Sequence, residues 1–250
     1  MIKEAIQYFA QLGIKPRERF IEARDPHGTP RALVIDESGH ATEIKPVINR
    51  AKEFFRINTL TGLVSYINSN IERYEDLLFI QIYDERTVYL RGALQFDGGR
   101  ETLVEVNAIV PDFHYGQFLD TEQLIIAFQS KFTVTKDRDL LLKVVGNVKE
   151  ENVRQTGDTG ISQAVTIKTG VASADDVLVP NPVTLAPYRT FLEVEQPESD
   201  FIFRMKDGPR GAIFEADGGA WRNKAIINIR EYLTEQLGEE IDNGRIVIIA

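Results

Sequence analysis

Residues 189–237 most constrain what this chain can fold into, because two side-chain periodicities follow one another there. The first part alternates apolar and polar residues, and neighbouring side chains of a β-strand point to opposite faces of a sheet. Proline, glycine, aspartate and serine interrupt the alternation twice, which is typical of turns. The pattern therefore predicts three strands, over residues 188–195, 201–206 and 212–217.

The second part places an apolar residue at every fourth position, the spacing of one face of an α-helix. The stripe consists of Trp221, Ala225, Ile229, Leu233 and Leu237. Asp217 suits the N-cap, and Gly218 and Gly219 permit a sharp turn from strand to helix. Free amides at a helix start can bind an anion, but these glycines lack the Lys-Ser/Thr of a phosphate loop. A structural turn is therefore predicted, and residues 245–250 are predicted to form a terminal strand buried on both faces.

Charged residues of the three predicted strands share one face if the apolar residues share the other. This register places Arg204 beside Glu193 and beside Glu215 or Ile213, in a ladder of alternating charge. Exposed ladders are typical of solvated cross-strand pairs, and a ligand or partner surface is the alternative interpretation. The candidate binding or structural surface comprises Arg189, Glu193, Glu195, Arg204, Glu215, Asp217, Gly218, Gly219 and Trp221.

The rest of the chain predicts strands and helices in separate groups. Helices are expected at the N-terminus, after Asn58 or Thr59 with an apolar stripe that extends to Ile71, after Asp120, and over 137–146. Strands are expected over 20–23, 31–35, 41–44, 77–83, 87–94 and 102–110, and a hairpin over 152–155 and 162–168. The predicted class is α+β, with mostly antiparallel sheets (meanders and hairpins) packed against a few amphipathic helices, a long C-terminal helix and a terminal strand.

Domain organisation is less constrained by the sequence. No low-complexity linker interrupts the chain, so residues 1–250 are predicted to form one α+β domain. The alternative is a division near 116–146, where helices separate two groups of strands. It would leave an N-terminal α+β part over 1–115, and a C-terminal sheet with a helix over 147–250.

Composition excludes several classes of function. The formal net charge of −9 argues against a dedicated duplex-DNA binder, which needs a basic surface. The chain has no cysteine, which rules out disulfides, a thiolate nucleophile and cysteine zinc sites, and fits a reducing intracellular setting. No apolar run approaches the ~20 residues of a membrane span, and the first residues are typical of an amphipathic helix instead of a signal peptide.

Motifs that carry chemistry are missing from the sequence, which has no GxSxG, GxGxxG, Walker, HExxH or EF-hand pattern. Two Asp-x-His pairs, ending at His27 and His114, are too isolated to predict a metal site. The acidic residues of the candidate surface are the clustered carboxylates that hydrolysis would use, but Arg204 between them would keep them ionised. No catalytic residue, cofactor or metal is predicted, and a non-enzymatic protein is favoured.

Three segments carry a family resemblance. They are PYRTFLEVEQPESDFIFRMKDGP continuing to EADGGAW, NTLTGLVSYINSN, and GISQAVTIKTGVA. The chain resembles the YfdQ-like family over residues 55–240; this is a domain of unknown function found mainly in bacteriophages and prophages. The resemblance implies a phage or prophage origin and an intracellular role during infection or lysogeny.

Together these features favour a phage-encoded protein of the host-cell cytoplasm that binds a host or phage protein, or assembles with itself. A homo-oligomer is expected, because strand-rich acidic proteins of this size often pair through a symmetric patch. Two alternatives remain. One is an accessory factor of phage DNA replication or recombination that touches single-stranded nucleic acid through a local patch, and the other is a carboxylate-dependent enzyme.

Overall fold

A computed structural model describes residues 20–24, 30–35, 41–44, 51–74, 76–95, 98–147, 163–169, 173–206 and 208–250. These residues belong to two compact units, one of residues 1–52 with 94–101 and one of residues 53–93 with 102–250. The predicted N-terminal helix and the predicted strand over 152–155 lie outside the described residues. The one-domain prediction and the division near 116–146 stay predictions.

The first unit contains a three-stranded antiparallel sheet in the order β1-β2-β3. Its strands are β1 (Phe20–Arg24), β2 (Pro30–Ile35) and β3 (Ala41–Ile44). Phe20 lies opposite Val34, and Ala32 lies opposite Ile44, so that β2 pairs along both edges. The three strands predicted in this part of the sequence are confirmed.

The remaining elements follow in chain order. They are β4 (Phe55–Ile57), α1 (Leu60–Ser69), β5 (Leu78–Ile82), β6 (Thr87–Leu94), β7 (Arg100–Asn107), β8 (Leu119–Asp120), α2 (Thr121–Lys131), α3 (Lys136–Asn147), β9 (Gln163–Thr169), β10 (Ser173–Val179), β11 (Val183–Leu185), β12 (Ser199–Lys206), β13 (Arg210–Glu215), α4 (Trp221–Gln236), α5 (Gly238–Asp242) and β14 (Ile246–Ile249). The predicted α+β class, with mostly antiparallel sheets, is confirmed.

A five-stranded sheet has the order β14-β5-β6-β7-β4. β5 and β6 are antiparallel, whereas β14 runs parallel to β5 and β4 runs parallel to β7. The buried side chains of this sheet pack with those of α1 and α4 in one hydrophobic core. α4 contributes the predicted stripe, with Ile229, Leu233 and Leu237 in that core. The meander and the long amphipathic helix predicted from periodicity are both confirmed.

The boundaries of two elements differ from the predictions. α1 is capped by the hydroxyl of Thr59, which accepts a hydrogen bond from Gly62 N at 3.1 Å. The helix ends at Ser69, so Ile71 is 76% exposed and does not extend the apolar stripe. In the edge strand β14, Val247 and Ile249 share one face and are exposed, so the prediction of burial on both faces is wrong.

A four-stranded antiparallel sheet has the order β11-β12-β13-β8. One face packs against α2 and α3 around Phe201 and Phe203, in a second hydrophobic core. Burial of each such ring contributes roughly 1.5–3 kcal/mol. The α2 helix begins where predicted, with Asp120 Oδ1 accepting from Gln123 N at 2.8 Å. β9 pairs with β10 in a separate two-stranded sheet, so the predicted strand over 162–168 is present and pairs with the next strand along the chain.

Residues 188–195, predicted as the first of three strands, form a loop instead. Between β11 and β12, the one β-type pairing is an isolated bridge of Pro187 with Phe132. Among the described residues, no helix is long and apolar enough to cross a membrane.

Candidate functional site

The loop over 188–198 is organised around the side chain of Gln196, which is buried. Its Oε1 accepts hydrogen bonds from Arg189 N at 2.9 Å and Thr190 N at 3.3 Å, and its Nε2 donates to Phe191 O at 2.9 Å. These bonds satisfy backbone groups that a neighbouring strand would otherwise pair. The amide side chain therefore replaces a β-ladder, which explains why the alternating segment is a loop.

The guanidinium of Arg189 lies at the centre of the candidate surface and is 3% exposed as a residue. Its Nη1 pairs with Glu215 Oε1 at 3.2 Å, and its Nη2 donates to Ser199 Oγ at 2.6 Å. Its Cζ lies 3.9 Å from the ring centroid of Trp221. Burial lowers the pKa of Arg189, and the nearby Glu215 and Asp217 carboxylates oppose that shift. A single buried cation thus joins the loop, β12, β13 and α4.

The turn into α4 is held by the Asp217 carboxylate, although the N-cap residue of the helix is Ala220 and not Asp217 as predicted. Asp217 Oδ1 accepts from Gly219 N at 3.0 Å, and Asp217 Oδ2 accepts from Trp221 N at 3.2 Å. Gly218 has φ 63° and Gly219 has φ 85°, which is the left-handed region that glycine adopts without a Cβ penalty. The two glycines and the aspartate therefore set the position of Trp221 beneath Arg189.

The predicted charge ladder does not form. Phe203 lies opposite Ile213, so Glu215 lies opposite Phe201, and Arg204 lies opposite Ala212. The predicted partner of Arg204, Glu215 or Ile213, lies three residues or one residue from the observed Ala212, and a slip by an odd number exchanges the two faces of a strand. Glu215 consequently shares a face with the Phe201 ring, beside which Arg189 lies, and Arg204 projects from the other face.

The remaining acidic candidates lie elsewhere. Glu193 Oε1 accepts from Thr61 N at 3.3 Å, at the start of α1, where a carboxylate complements the helix dipole. Glu195 is exposed, and its carbonyl oxygen accepts from Asn228 Nδ2 at 2.8 Å on α4. The structure therefore brings Arg189, Glu215, Asp217 and Trp221 together with the two glycines, and it separates Glu193, Glu195 and Arg204 from them.

A small cleft of about 170 Å³ opens beside the buried guanidinium. We call it the Arg86 cleft; the residues of its lining that matter for binding are Arg86, Lys131, Arg189, Asp112, Phe113 and Tyr115. Three of these are cations and one is a carboxylate, in a chain whose net charge is −9. The cleft is therefore a local positive region on an acidic protein.

Arg86 is held at this cleft by its backbone and by its side-chain Nε. Its amide donates to Asp84 Oδ1 at 2.8 Å, and its Nε donates to the Arg189 carbonyl oxygen at 3.2 Å. No carboxylate of the described residues forms an ion pair with Arg86. The side chain is thus positioned without being neutralised.

Lys131 has a similar arrangement on the other wall. Its Nζ donates to the Asp112 carbonyl oxygen and lies 5.9 Å from the Phe113 ring centroid. The Asp112 carboxylate instead lies 3.4 Å from His114 Nε2, where both side chains are exposed. Within the described part of the chain, Lys131 has no carboxylate partner either.

Tyr115 contributes a phenol to the lining of the cleft. Its ring stacks on Phe201, with 5.5 Å between centroids. Burial raises the pKa of Tyr115 to about 12; the neighbouring Arg189 opposes the shift and Glu215 adds to it. At neutral pH the phenol is therefore protonated and is able to donate a hydrogen bond.

Sequence reasoning identified Arg189 but missed Arg86, Lys131 and Tyr115 as its neighbours. They come from a turn, a helix end and a loop that no shared motif connects. Among the described residues, no group of three side chains suits a metal ion.

When the chain is compared with protein-family models, with curated proteins and with solved structures, nothing matches it. The resemblance to the YfdQ-like family thus rests on the quoted sequence segments alone.

Proposed function

We propose that this chain is a phage- or prophage-encoded, YfdQ-like protein that binds a host or phage protein in the host-cell cytoplasm without catalysing a reaction. The observation that carries the proposal is the Arg86 cleft, in which Arg86 and Lys131 are held in place without carboxylate partners among the described residues. Positioned, unneutralised cations beside apolar walls are suited to holding a partner group.

The positions of the carboxylates favour binding over hydrolysis. Paired carboxylates act as acid and base only where a cleft brings them to a substrate and their environments differ. Glu215 is instead ion-paired with Arg189, and Asp217 accepts hydrogen bonds at the start of α4. Neither carboxylate lines the Arg86 cleft.

We also propose that the protein self-associates. Its support is the edge strand β14, whose Val247 is 40% exposed and whose Ile249 is 49% exposed. Edge strands that offer apolar side chains and unpaired backbone groups are suited to pairing with another copy. Native mass measured across a concentration series tests this proposal, and a constant monomer mass would contradict it.

The binding proposal is tested by purifying the tagged protein from infected or lysogenic cells. We expect a stoichiometric protein partner with the wild-type chain and its loss with the paired change Arg86→Gln and Lys131→Gln. Arg230→Gln is the matched control, because Arg230 is exposed on α4 and lies outside the cleft. Recovery of the wild-type chain without any partner protein would contradict the proposal.

The single-stranded nucleic-acid function has its own supporting observation on the outer face of the four-stranded sheet. Lys206 Nζ lies 4.0 Å from the Phe118 ring centroid, and Phe118 contacts Phe214 edge to face at 6.2 Å. Arg210 lies opposite Lys206. Aromatic rings beside cations are the groups on which unpaired bases stack.

This second candidate predicts salt-dependent retention on single-stranded DNA that Phe118→Ala and Lys206→Gln both weaken. Retention that depends equally on residues far from this face would reflect non-specific charge and would remove the candidate.

A further inference from the structure

We propose that the Arg86 cleft takes one compact oxyanion of the partner protein, either a carboxylate side chain or a phosphorylated side chain. This inference rests on the proposed binding function and specifies the group that is bound. The relevant geometry is that a forked guanidinium, an ammonium and a phenol line the same cleft.

Arg86 supplies the first part of the recognition. Because its Nε–H is already bonded to the Arg189 carbonyl oxygen, the plane of the guanidinium is held by the loop. Both Nη groups are then left without a hydrogen-bond acceptor among the described residues. Two parallel N–H groups of this kind match the two oxygens of a carboxylate or phosphate.

Arg189 and Tyr115 also line the cleft and supply a charge and a hydrogen-bond donor. The Nε–H of Arg189 is buried and has no acceptor among the described residues, and one carboxylate, that of Glu215, pairs with its charge. The buried cation therefore adds positive potential to the cleft, because low-dielectric surroundings screen it weakly. Tyr115 remains protonated at neutral pH and adds a neutral donor that does not repel an anion.

The volume of the cleft limits the ligand. Sites for drug-sized molecules enclose roughly 300–1,000 Å³. A space of about 170 Å³ accommodates a single anionic group and the first atoms that carry it. Apolar side chains also line the cleft and suit the methylene groups of an acidic side chain; they belong to Val110, Phe113 and Pro187.

The charge of the whole protein favours a single anionic group over a polyanion. A net charge of −9 repels a nucleic-acid strand at long range, whereas one oxyanion in a neutral or basic partner surface meets only the local cations. A protein side chain is therefore the source that the observations favour.

The fluorescence of Trp221 can report binding in the Arg86 cleft. Trp221 is the single tryptophan, and its ring lies under Arg189, which lines the cleft. We would titrate the purified protein with acetate and with inorganic phosphate, at constant ionic strength maintained with sodium chloride, and follow Trp221 fluorescence and the Arg86 Nε–H resonance.

We expect a saturable change at both probes with at least one of the two anions, and none with chloride alone. Arg86→Gln should weaken that binding about 10- to 100-fold, because a charge-assisted hydrogen bond contributes roughly 1.5–3 kcal/mol. Arg230→Gln should bind as the wild type does. Tighter binding of acetate identifies a carboxylate as the source, and tighter binding of phosphate identifies a phosphorylated side chain.

An absence of saturable binding by both anions would overturn the inference, as would equal binding by Arg86→Gln. Displacement of the bound anion by a single-stranded oligonucleotide at physiological salt would also overturn it. The proposed function fails differently: anions would still bind in the cleft, but no protein would co-purify from cells. Conversely, partner capture that survives Arg86→Gln would leave the function standing and remove the inference.

Discussion

The guanidinium of Arg189 lies over the indole of Trp221, with its Cζ 3.9 Å from the ring centroid. A cation stacked on a tryptophan and shielded from water contributes about 2 kcal/mol. The contact joins the loop over 188–198 to the first turn of α4, and the same guanidinium is anchored to β13 through Glu215. This pair of side chains therefore couples the loop to α4 and to β13.

Trp221→Ala should destabilise the protein by about 3–5 kcal/mol, because it removes a large buried ring together with its stacked cation. Trp221→Phe should reduce the free energy of unfolding by less, since an aromatic ring remains beneath the guanidinium. Chemical denaturation of the three proteins measures the difference. A loss below ~1 kcal/mol for the alanine variant would show that the ring is not part of the packed structure.

Arg189→Met should destabilise by about 3 kcal/mol, at the low end for breaking a buried pair, because Glu215 is only partly buried. The double change with Glu215→Gln should recover part of that loss, since no uncompensated carboxylate remains. A thermodynamic cycle over the four proteins gives the coupling. Glu193→Gln is the matched control and should lose less than about 1 kcal/mol; strict additivity of the Arg189 and Glu215 changes would contradict the pairing.

Gly219→Ala should cost about 1–2 kcal/mol, because the residue has φ 85° and a Cβ is disfavoured in that region. Gly238→Ala provides the comparison, since a Cβ there meets open space and lies at the start of α5. We expect that control to be neutral or slightly stabilising. Equal effects in thermal unfolding would show that backbone strain does not determine the turn.

Stability should fall as the pH rises above about 10, in part through Tyr115. The unfolded phenol loses its proton near its ordinary pKa of 10.0, whereas burial raises the pKa of the folded one to about 12. Between these values the folded chain binds more protons than the unfolded chain, so the free energy of unfolding decreases with pH. Tyr115→Phe should flatten that slope and remove a step near pH 12 from the tyrosinate absorbance titration. An unchanged slope would assign the loss to other groups.

Local periodicity was sufficient to predict β12, β13 and the stripe of α4 from the sequence. Each pattern is contained within a few residues and directly reflects which side of an element is buried. The role of Asp217 in this turn was equally local, because its carboxylate and the amides that donate to it lie within four residues of one another.

Pairing and loop structure were harder to predict, for identifiable reasons. The alternation over 188–195 is genuine, but Gln196 satisfies the backbone groups that a strand would expose. The register of β12 with β13 was predicted from maximum apolar overlap. In the structure Phe203 lies opposite Ile213 and both are buried, whereas Phe214 lies on the other face and is 37% exposed. This register directs Glu215 toward Arg189.

The Arg86 cleft could not be predicted from the sequence. Its cations belong to a turn after β5, the end of α2 and a loop before β12, and only the folded chain brings them together. In the sequence each of these residues is one charge among many, in a chain that is 27% charged.

The parallel pairing of β14 with β5 has a consequence for how this protein is made. β5 is synthesised early and its partner follows α5, so one edge of the five-stranded sheet stays open while most of the second unit is translated. Pairs so distant in sequence close late and slow the folding of a domain. The ribosome must therefore release nearly the whole unit before its central sheet is complete, and until then β5 offers a vacant edge to chaperones or to neighbouring nascent chains.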